Sequence, residues 1–293
     1  MKPDVFSVPM SDGAEIVIRH YARPGALRLY ITHGNGFAVD GYRIFWEPLL
    51  DDYDVVLFDM RNHGRNVATG ADGHNYGQFA LDITSIHEGV VGRIGAARSV
   101  GIFHSMSARS AMKNAVQFGS PFDALVLFDP PSVPPRGHHL YEPMREFELK
   151  LIAWAADRQD RFASIDELEA QYSEARASAR WQPQARRDMA EAVLRPLGEG
   201  GFELSCRREL ESAIYLGALT LDLWPAASEL GVPTLLVGAD PSRAKGPPTG
   251  PANEALAQEG CYEYHGVEGA GHLLQIEKPD LCREIMLSFI RKI

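Results

Sequence analysis

The chain has 293 residues, of which 45% are hydrophobic and 23% are charged, and its formal net charge is −10 at pH 7. This length and composition predict one large domain with an insertion, or two modest domains, and argue against a fibrous or disordered protein. The acidic balance and the lack of a basic run argue against a nucleic-acid partner. No apolar run is long enough to span a bilayer and no signal-peptide pattern is present, so we expect a cytoplasmic protein.

Seven short apolar runs rich in β-forming residues follow one another along the chain, and helical patterns separate the later ones. They are AEIVIRHYA (14–22), LRLYITH (27–33), YDVVLFDM (53–60), SVGIFH (99–104), DALVLFDP (123–130), VPTLLVGAD (232–240) and CYEYHGV (261–267). The first two runs alternate and are expected to form an antiparallel edge, whereas the others resemble strands covered by helices on both faces. This pattern predicts an α/β fold with a mostly parallel sheet flanked by helices.

Residues 131–225 break this rhythm, because they contain helical patterns at 144–159, 164–180 and 184–196 and no convincing strand. We interpret this segment as a helical cap inserted into a core formed by residues 1–130 and 226–293. A cap at the carboxyl end of a parallel sheet lies over the place where such sheets bind ligands. His138 and His139 fall in this segment and are candidate pocket residues, with a solvated surface position as the alternative.

The stretch GIFHSMSARS (101–110) predicts a buried strand that runs into a helix through a tight turn with Ser105 at its apex. A serine hydrolase keeps its nucleophile in such a turn, and the amide of Met106 would then face the developing oxyanion. The alternative is that the serine only caps the helix. The elbow signature has glycine two residues before and after the serine, where this chain has Phe103 and Ser107. We expect Phe103 to push strand and helix apart or to line a pocket.

The stretch HGNGF (33–37) directly follows an apolar run. Its glycines permit a sharp turn with exposed amides, and the amide of Asn35 is the natural second oxyanion donor. Gly36 and Phe37 are therefore candidate pocket residues, while an ordinary glycine turn is the alternative.

The segment GAGHLLQIEKPD (269–280) supplies the candidate general base, His272, on a glycine-flanked loop. An acid must hold that imidazole in the correct tautomer, and Asp129 and Asp240 both end apolar runs. Each is followed by proline, so each has an ordinary role as a turn former as its alternative. His104 precedes the candidate nucleophile and is a further candidate pocket residue.

Together these segments resemble the α/β-hydrolase superfamily, with HGNGF as oxyanion loop, DMRNHG (59–64) as a second turn, HSM (104–106) as elbow and GAGHLLQIEKPD as histidine loop. DMRNHG looks like that of small esterases and thioesterases, and this likeness favours Asp129 over Asp240 as the acid. FELSCRRELESAIY (202–215) is similar to a lipase/esterase-like branch.

The resemblance implies a hydrolase of carboxylic esters or thioesters, without a cofactor or metal. From the aromatic residues of the cap we expect the substrate to be small and mainly apolar. The serine excludes the dehalogenases and epoxide hydrolases of the superfamily, which need a carboxylate nucleophile. Two alternatives stay open: the same triad acting on an amide, lactone or carbon–carbon bond or as a lyase, and a catalytically silent ligand-binding member of the fold. The oligomeric state also stays open, with a homodimer as one option.

Overall fold

The computed structural model describes residues 2–198, 200–243 and 246–293. The described residues form eleven strands: β1 (Asp4–Pro9), β2 (Glu15–Tyr21), β3 (Arg28–Ile31), β4 (Asp54–Phe58), β5 (Ser99–His104), β6 (Ala124–Phe128), β7 (Arg161–Phe162), β8 (Leu194–Pro196), β9 (Phe202–Leu204), β10 (Thr234–Ala239) and β11 (Glu263–Val267). They also form ten α-helices: α1 (Arg43–Trp46), α2 (Tyr76–Ile94), α3 (Met106–Phe118), α4 (Tyr141–Asp157), α5 (Ile165–Glu174), α6 (Pro183–Val193), α7 (Arg208–Thr220), α8 (Thr249–Gly260), α9 (Leu274–Glu277) and α10 (Pro279–Ile290).

Eight of the strands form one sheet in the order β1-β2-β4-β3-β5-β6-β10-β11. From β4 to β11 every neighbouring pair is parallel, so the prediction of a mostly parallel α/β sheet is confirmed. The expected pairing at the edge is wrong in two respects. β3 lies between the parallel strands β4 and β5, and β2 pairs antiparallel with β4 and with β1, a strand that the sequence pattern did not indicate.

Helices cover both faces of this sheet, which explains why its inner strands are apolar throughout. Alternate side chains of one strand enter opposite layers: Val55 and Leu57 of β4 join one apolar cluster, and Val56 and Phe58 join the other. Side chains of α2, α3 and α8 complete the second cluster, and those of α1 and α10 complete the first. The parallel strands therefore end together at one edge, where the loops that follow β3, β5, β6, β10 and β11 meet.

Residues 131–225, here called the insertion, contain α4 to α7 between β6 and β10. The prediction that this segment has no strand is wrong, because β7, β9 and β8 form a small antiparallel sheet. Strands of two or three residues are too short to produce a period-two pattern that sequence reading could recognise.

Within the described ranges, no helix is long and apolar enough to cross a bilayer. Two of the three cysteines, Cys206 and Cys282, are buried, as expected of small apolar side chains, whereas Cys261 is exposed.

Candidate active site

Ser105 stands in a sharp turn between β5 and α3. Its backbone has φ 54° and ψ −120°, a conformation that costs a non-glycine residue about 1–3 kcal/mol. The Ser105 amide donates to the Phe128 carbonyl at 2.9 Å, and the Arg109 amide donates to the Ser105 carbonyl at 3.1 Å. As far as the described residues go, the hydroxyl makes no helix-capping hydrogen bond. The alternative of a simple capping serine therefore has no geometric support.

The ring of Phe103 lies in the apolar core, where it is fully buried and contacts Phe122 with ring centroids 5.6 Å apart. A Cβ atom on Gly101 would come within 2.4 Å of this ring and 2.8 Å of the Phe122 ring. Because residues two apart share one face of a strand, the glycine at position 101 makes room for the ring. This packing corrects the assignment of Phe103 to the substrate pocket.

The loops after β5, β6 and β11 bring three of the predicted residues into one chain of hydrogen bonds. His272 Nε2 lies 2.8 Å from Ser105 Oγ, and His272 Nδ1 lies 2.6 Å from Asp129 Oδ2. An ionised carboxylate only accepts, so Nδ1 carries the proton and Nε2 offers a lone pair to the serine hydroxyl. This arrangement can remove the serine proton during attack on a carbonyl carbon.

Asp129 is fully buried, and its carboxylate accepts hydrogen bonds from three further groups. Oδ1 accepts from the Ala239 amide and from Asn253 Nδ2, each at 2.8 Å, and Oδ2 accepts from Thr249 Oγ1 at 2.6 Å. Hydrogen bonds from both sides compensate the charge of a buried carboxylate and fix its orientation. Asp129 is therefore held rigidly against His272.

Asp240, the alternative acid, has other partners. Its Oδ1 accepts from the amide and hydroxyl of Ser242 at 2.9 and 2.7 Å, and its Oδ2 accepts from the Gly269 amide at 2.8 Å. These donors hold the pKa of Asp240 below its usual range. The carboxylate thus organises the turn after β10 and the start of the histidine loop instead of contacting the imidazole.

The HGNGF turn packs directly against the elbow. A Cβ atom on Gly34 would lie 3.0 Å from Ser105 Cβ and 2.8 Å from His104 Nδ1, so only glycine fits there. In this turn the Gly36 amide donates to His63 Nε2 at 3.1 Å. Among the described residues, no acceptor is found for the amide of Asn35 or that of Met106. Two amides beside the serine hydroxyl are therefore available to a ligand oxygen.

His104 connects this turn to the histidine loop. Its Nδ1 lies 2.8 Å from the Tyr42 hydroxyl, its Nε2 lies 2.8 Å from the His272 carbonyl, and the Gly34 amide donates to the Tyr42 hydroxyl at 3.3 Å. Burial holds the pKa of His104 well below its ordinary value, so the ring is neutral and Nε2–H donates to the carbonyl. Because the ring has no exposed surface and both nitrogens are occupied, the assignment of His104 to the pocket is corrected to a positioning role.

The two cap histidines also lie away from the serine. His138 Nε2 is 3.0 Å from Glu259 Oε1, and its ring contacts Trp224 and the exposed His139. Glu259 is near the end of α8, whereas Thr249 at the start of that helix contacts Asp129. A twelve-residue helix is about 18 Å long, so both histidines are corrected from pocket to surface positions.

The insertion contacts the HGNGF turn at the two remaining candidate pocket residues. Phe37 packs edge-on against Trp181 with ring centroids 5.9 Å apart. A Cβ atom on Gly36 would lie 2.3 Å from a carboxylate oxygen of Glu211. The side chain of Asn35 donates to the Glu211 carbonyl at 2.8 Å. The insertion therefore lies directly over the oxyanion turn.

The insertion also contacts the histidine loop. Arg180 Nε donates to Glu277 Oε2 at 2.6 Å, and the same oxygen accepts from the Gly271 amide at 2.7 Å. Glu277 is almost fully buried, whereas Arg180 is partly exposed, and the Glu277 carboxylate fixes the residue before His272.

Sequence reasoning missed the supporting residues Thr249, Asn253, Arg180 and Glu277. Thr249 and Asn253 are spaced to share one face of a helix, but nothing in the sequence connects that face to Asp129. The described residues contain no group of three His, Cys, Asp or Glu side chains placed to hold a metal ion.

The model of the alpha/beta hydrolase family matches residues 29–285 of this sequence. The chain belongs to that family. No curated protein matches the sequence.

Solved structures that resemble the hydrolase share its fold at low sequence identity. One is an E-2-(acetamidomethylene)succinate hydrolase, with a TM-score of 0.80, 18% identity and 99% of each chain covered. Another is the thioesterase domain from the curacin biosynthetic pathway, with a TM-score of 0.70, 18% identity, and 98% of this chain and 100% of that chain covered. A third is the N-formylmaleamic acid deformylase of Pseudomonas putida, with a TM-score of 0.66, 19% identity, and 97% and 100% covered.

Proposed function

We propose that this hydrolase cleaves a carboxylic ester or thioester of a small molecule through an acyl-enzyme on Ser105, in the cytoplasm and without a cofactor. The observation that carries the proposal is the hydrogen-bond chain from Asp129 through His272 to Ser105, with distances of 2.6 and 2.8 Å. The elbow conformation of Ser105 supports it, because the left-handed backbone presents the hydroxyl at the edge of the sheet.

In the first half-reaction, Ser105 Oγ bonds to the acyl carbon while its proton moves to His272 Nε2. Asp129 accepts from Nδ1–H and stabilises the imidazolium that forms. The proton then passes to the leaving alcohol or thiol as its bond to the acyl carbon breaks. In the second half-reaction, water gives a proton to Nε2 and bonds to the acyl carbon, and the acid leaves as Ser105 regains its proton.

The negative charge on the former carbonyl oxygen needs donors at the moment it develops. The amides of Asn35 and Met106 serve this purpose in the proposal, because they lie beside Ser105 and have no acceptor among the described residues. Met106 is the first residue of a 13-residue helix, whose N-terminal dipole also favours an anion. Preorganised donors of this kind are usually the largest single contribution to acyl transfer.

The insertion serves as a lid in this proposal, since Trp181 and Glu211 contact Phe37 and Gly36 of the oxyanion turn. An amide bond is the second candidate for the bond that is cleaved, because one neighbour is named as a deformylase of an N-formyl compound.

Two of the neighbouring structures are also named for substrates that are carboxylic acids or their salts.

The first test is active-site labelling with a fluorophosphonate probe, combined with hydrolysis of p-nitrophenyl acetate. We expect the wild type to be labelled and to release a burst of nitrophenol, and we expect Ser105→Ala to do neither. Ser110→Ala is the matched control, because Ser110 lies on the same helix and its hydroxyl donates to the Met106 carbonyl at 2.9 Å. If folded wild type and Ser105→Ala are equally inert, the serine is not activated and the proposal fails. Faster turnover of a p-nitroanilide than of the matched ester would select the amide candidate.

A further inference from the structure

An arginine and a glutamate are buried where α3 meets the insertion. Most of their polar side-chain atoms have no hydrogen-bond partner among the described residues. Arg109 lies on α3 and Glu148 on α4, and neither has exposed surface. Within residues 2–198, 200–243 and 246–293, no hydrogen-bond partner is found for Nε and Nη1 of Arg109 or for either carboxylate oxygen of Glu148. Arg109 Nη2 makes only long hydrogen bonds, of 3.3 and 3.4 Å, to the carbonyls of Ala218 and Leu221. Unpaired buried groups of this kind destabilise a fold.

Arg109 is close to the candidate active site along the chain. Arg109 follows Ser105 by one helical turn, a rise of about 5.4 Å, and its amide donates to the Ser105 carbonyl. In the oxyanion turn, which packs against the elbow, Oδ1 of Asn35 is also buried and has no partner within the described part of the chain. Buried polar atoms without a partner among the described residues therefore lie on α3 just after the elbow, in the oxyanion turn and on α4 of the insertion.

The two arginines of this region differ in their ion-pair partners. Arg158 and Glu211 form a close ion pair at 2.8 Å and compensate each other. The Cζ atom of Arg109 lies 5.3 Å from the centre of the Tyr76 ring. Among the described residues, Arg109 has no carboxylate within ion-pair distance. Burial raises the pKa of Glu148 to about 8, so its carboxyl group is mainly uncharged at neutral pH and can donate a hydrogen bond. The positive charge of Arg109 therefore has no close carboxylate partner among the described residues.

We propose that Arg109 binds a carboxylate carried by the acyl part of the substrate, and that Glu148 hydrogen-bonds to the same group. The substrate class is then the half-ester or half-thioester of a short dicarboxylic acid, which deepens the proposed function and rests on it. A carboxylate is the anionic acceptor that guanidinium N–H donors and a protonated carboxyl group both fit. This subsite revises the expectation of a mainly apolar substrate, because Arg109 is charged and Glu148 is polar.

The proposal is tested with two p-nitrophenyl esters that differ only in charge: the free-acid glutarate half-ester and its methyl-capped counterpart. We expect wild type to favour the free acid by at least tenfold in kcat/KM, and Arg109→Met to lose that preference. Arg109→Lys, which keeps the charge, should retain part of it. Arg187→Met is the matched control, because Arg187 is a partly exposed arginine that pairs with Glu191 on the same helix. An equal preference in wild type, Arg109→Met and Arg187→Met would overturn the proposal.

A binding measurement separates this proposal from the proposed reaction and does not depend on turnover. Calorimetry on Ser105→Ala should detect glutarate and should detect its uncharged diamide at least tenfold more weakly. If Ser105 is labelled by the probe but glutarate and the diamide bind equally, the carboxylate subsite is wrong and the serine hydrolase stands. If glutarate is preferred but wild type is neither labelled nor active, the subsite stands and the serine mechanism is wrong. If Arg109→Met fails to fold, the preference of Ser105→Ala for glutarate over the diamide tests the carboxylate subsite instead.

Discussion

Asp129 and Glu148 are both carboxylates without exposed surface. Asp129, at the end of a sheet strand, accepts hydrogen bonds from His272 and from three further donors. Glu148, on a helix of the insertion, has no partner for either oxygen in the described part of the chain. The acid on the sheet side has its hydrogen bonds without a ligand, whereas the insertion side contains polar groups that a ligand can satisfy.

This difference separates the two tasks of a hydrolase. A group that assists proton transfer must be held in place before the substrate arrives, and its hydrogen bonds come from the protein. A group that selects the substrate must keep some of its hydrogen-bonding capacity for the substrate, and the fold loses stability as a result. Each of the following four variants changes either the sheet side or the insertion side of the site.

The largest effect is expected from Asp129→Asn. An amide at this position can donate to Nδ1 of His272 and so favours the wrong tautomer, and we expect kcat/KM to fall about 10³- to 10⁴-fold. Hydrolysis of p-nitrophenyl acetate measures this loss. Asp240→Asn is the control and should cost less than tenfold, because Asp240 contacts Ser242 and Gly269 instead of the imidazole. Equal losses in both variants would contradict the assignment of Asp129 as the acid.

The packing of the sheet side is tested by Gly101→Ala. The new methyl group would meet the Phe103 ring at 2.4 Å, so we expect the free energy of unfolding to fall by about 1–3 kcal/mol. Urea denaturation measures this change. The double variant Gly101→Ala/Phe103→Gly removes the closest clash, although the Phe122 ring stays 2.8 Å away, and should lose less stability than the sum of the two single changes. Strict additivity would show that the glycine does not accommodate the ring.

A smaller effect on activity is expected from Thr249→Val. Its hydroxyl donates to the same Asp129 oxygen that accepts from His272, and its loss should let the carboxylate move. We expect kcat to fall about tenfold, equivalent to ~1.4 kcal/mol, with KM little changed. Steady-state kinetics check this split, and Thr220→Val, at an exposed position, is the control. A change confined to KM would argue against a positioning role.

The insertion side is tested by the pH dependence of stability in Glu148→Gln. In the folded chain the pKa of Glu148 is raised from 4.5 to about 8. Between these values the folded protein keeps a proton that the unfolded chain releases, so this group lowers stability as pH rises through that window. Glutamine has no such proton, and the Tm of the variant should therefore gain on wild type from pH 5 to pH 8.5, by on the order of 5 °C.

A thermal melt across this pH range gives the difference between the two proteins. Glu142→Gln is the control, because Glu142 is exposed on the same helix, and its Tm difference from wild type should stay constant. A constant difference for Glu148→Gln as well would mean that Glu148 titrates normally.

Local patterns predicted those parts of the site that lie within a few residues of one another. The apolar runs, the elbow at Ser105, the glycine turn around Asn35 and the loop of His272 could all be read from the sequence, because each depends on its own strand, turn or helix signals. The parallel sheet then places these loops at one edge, so their proximity also followed from the predicted fold. The short strands of the insertion and the pairing of β3 could not be read, because two- and three-residue strands have no recognisable period and a single run does not specify its neighbours.

The sequence by itself determined the fold class and which residue types end each strand, since hydrophobic periodicity and turn chemistry are properties of neighbouring residues. Only the tertiary structure decided the environment of each group. It brought Asp129 instead of Asp240 to the imidazole, turned Phe103 away from the site and enclosed His104. It also buried Arg109 and Glu148, whose Nε, Nη1 and carboxylate oxygens have no partner among the described residues. The physical reason is that burial and hydrogen bonding depend on segments far apart in the chain, and these forces determine what a charged side chain can do.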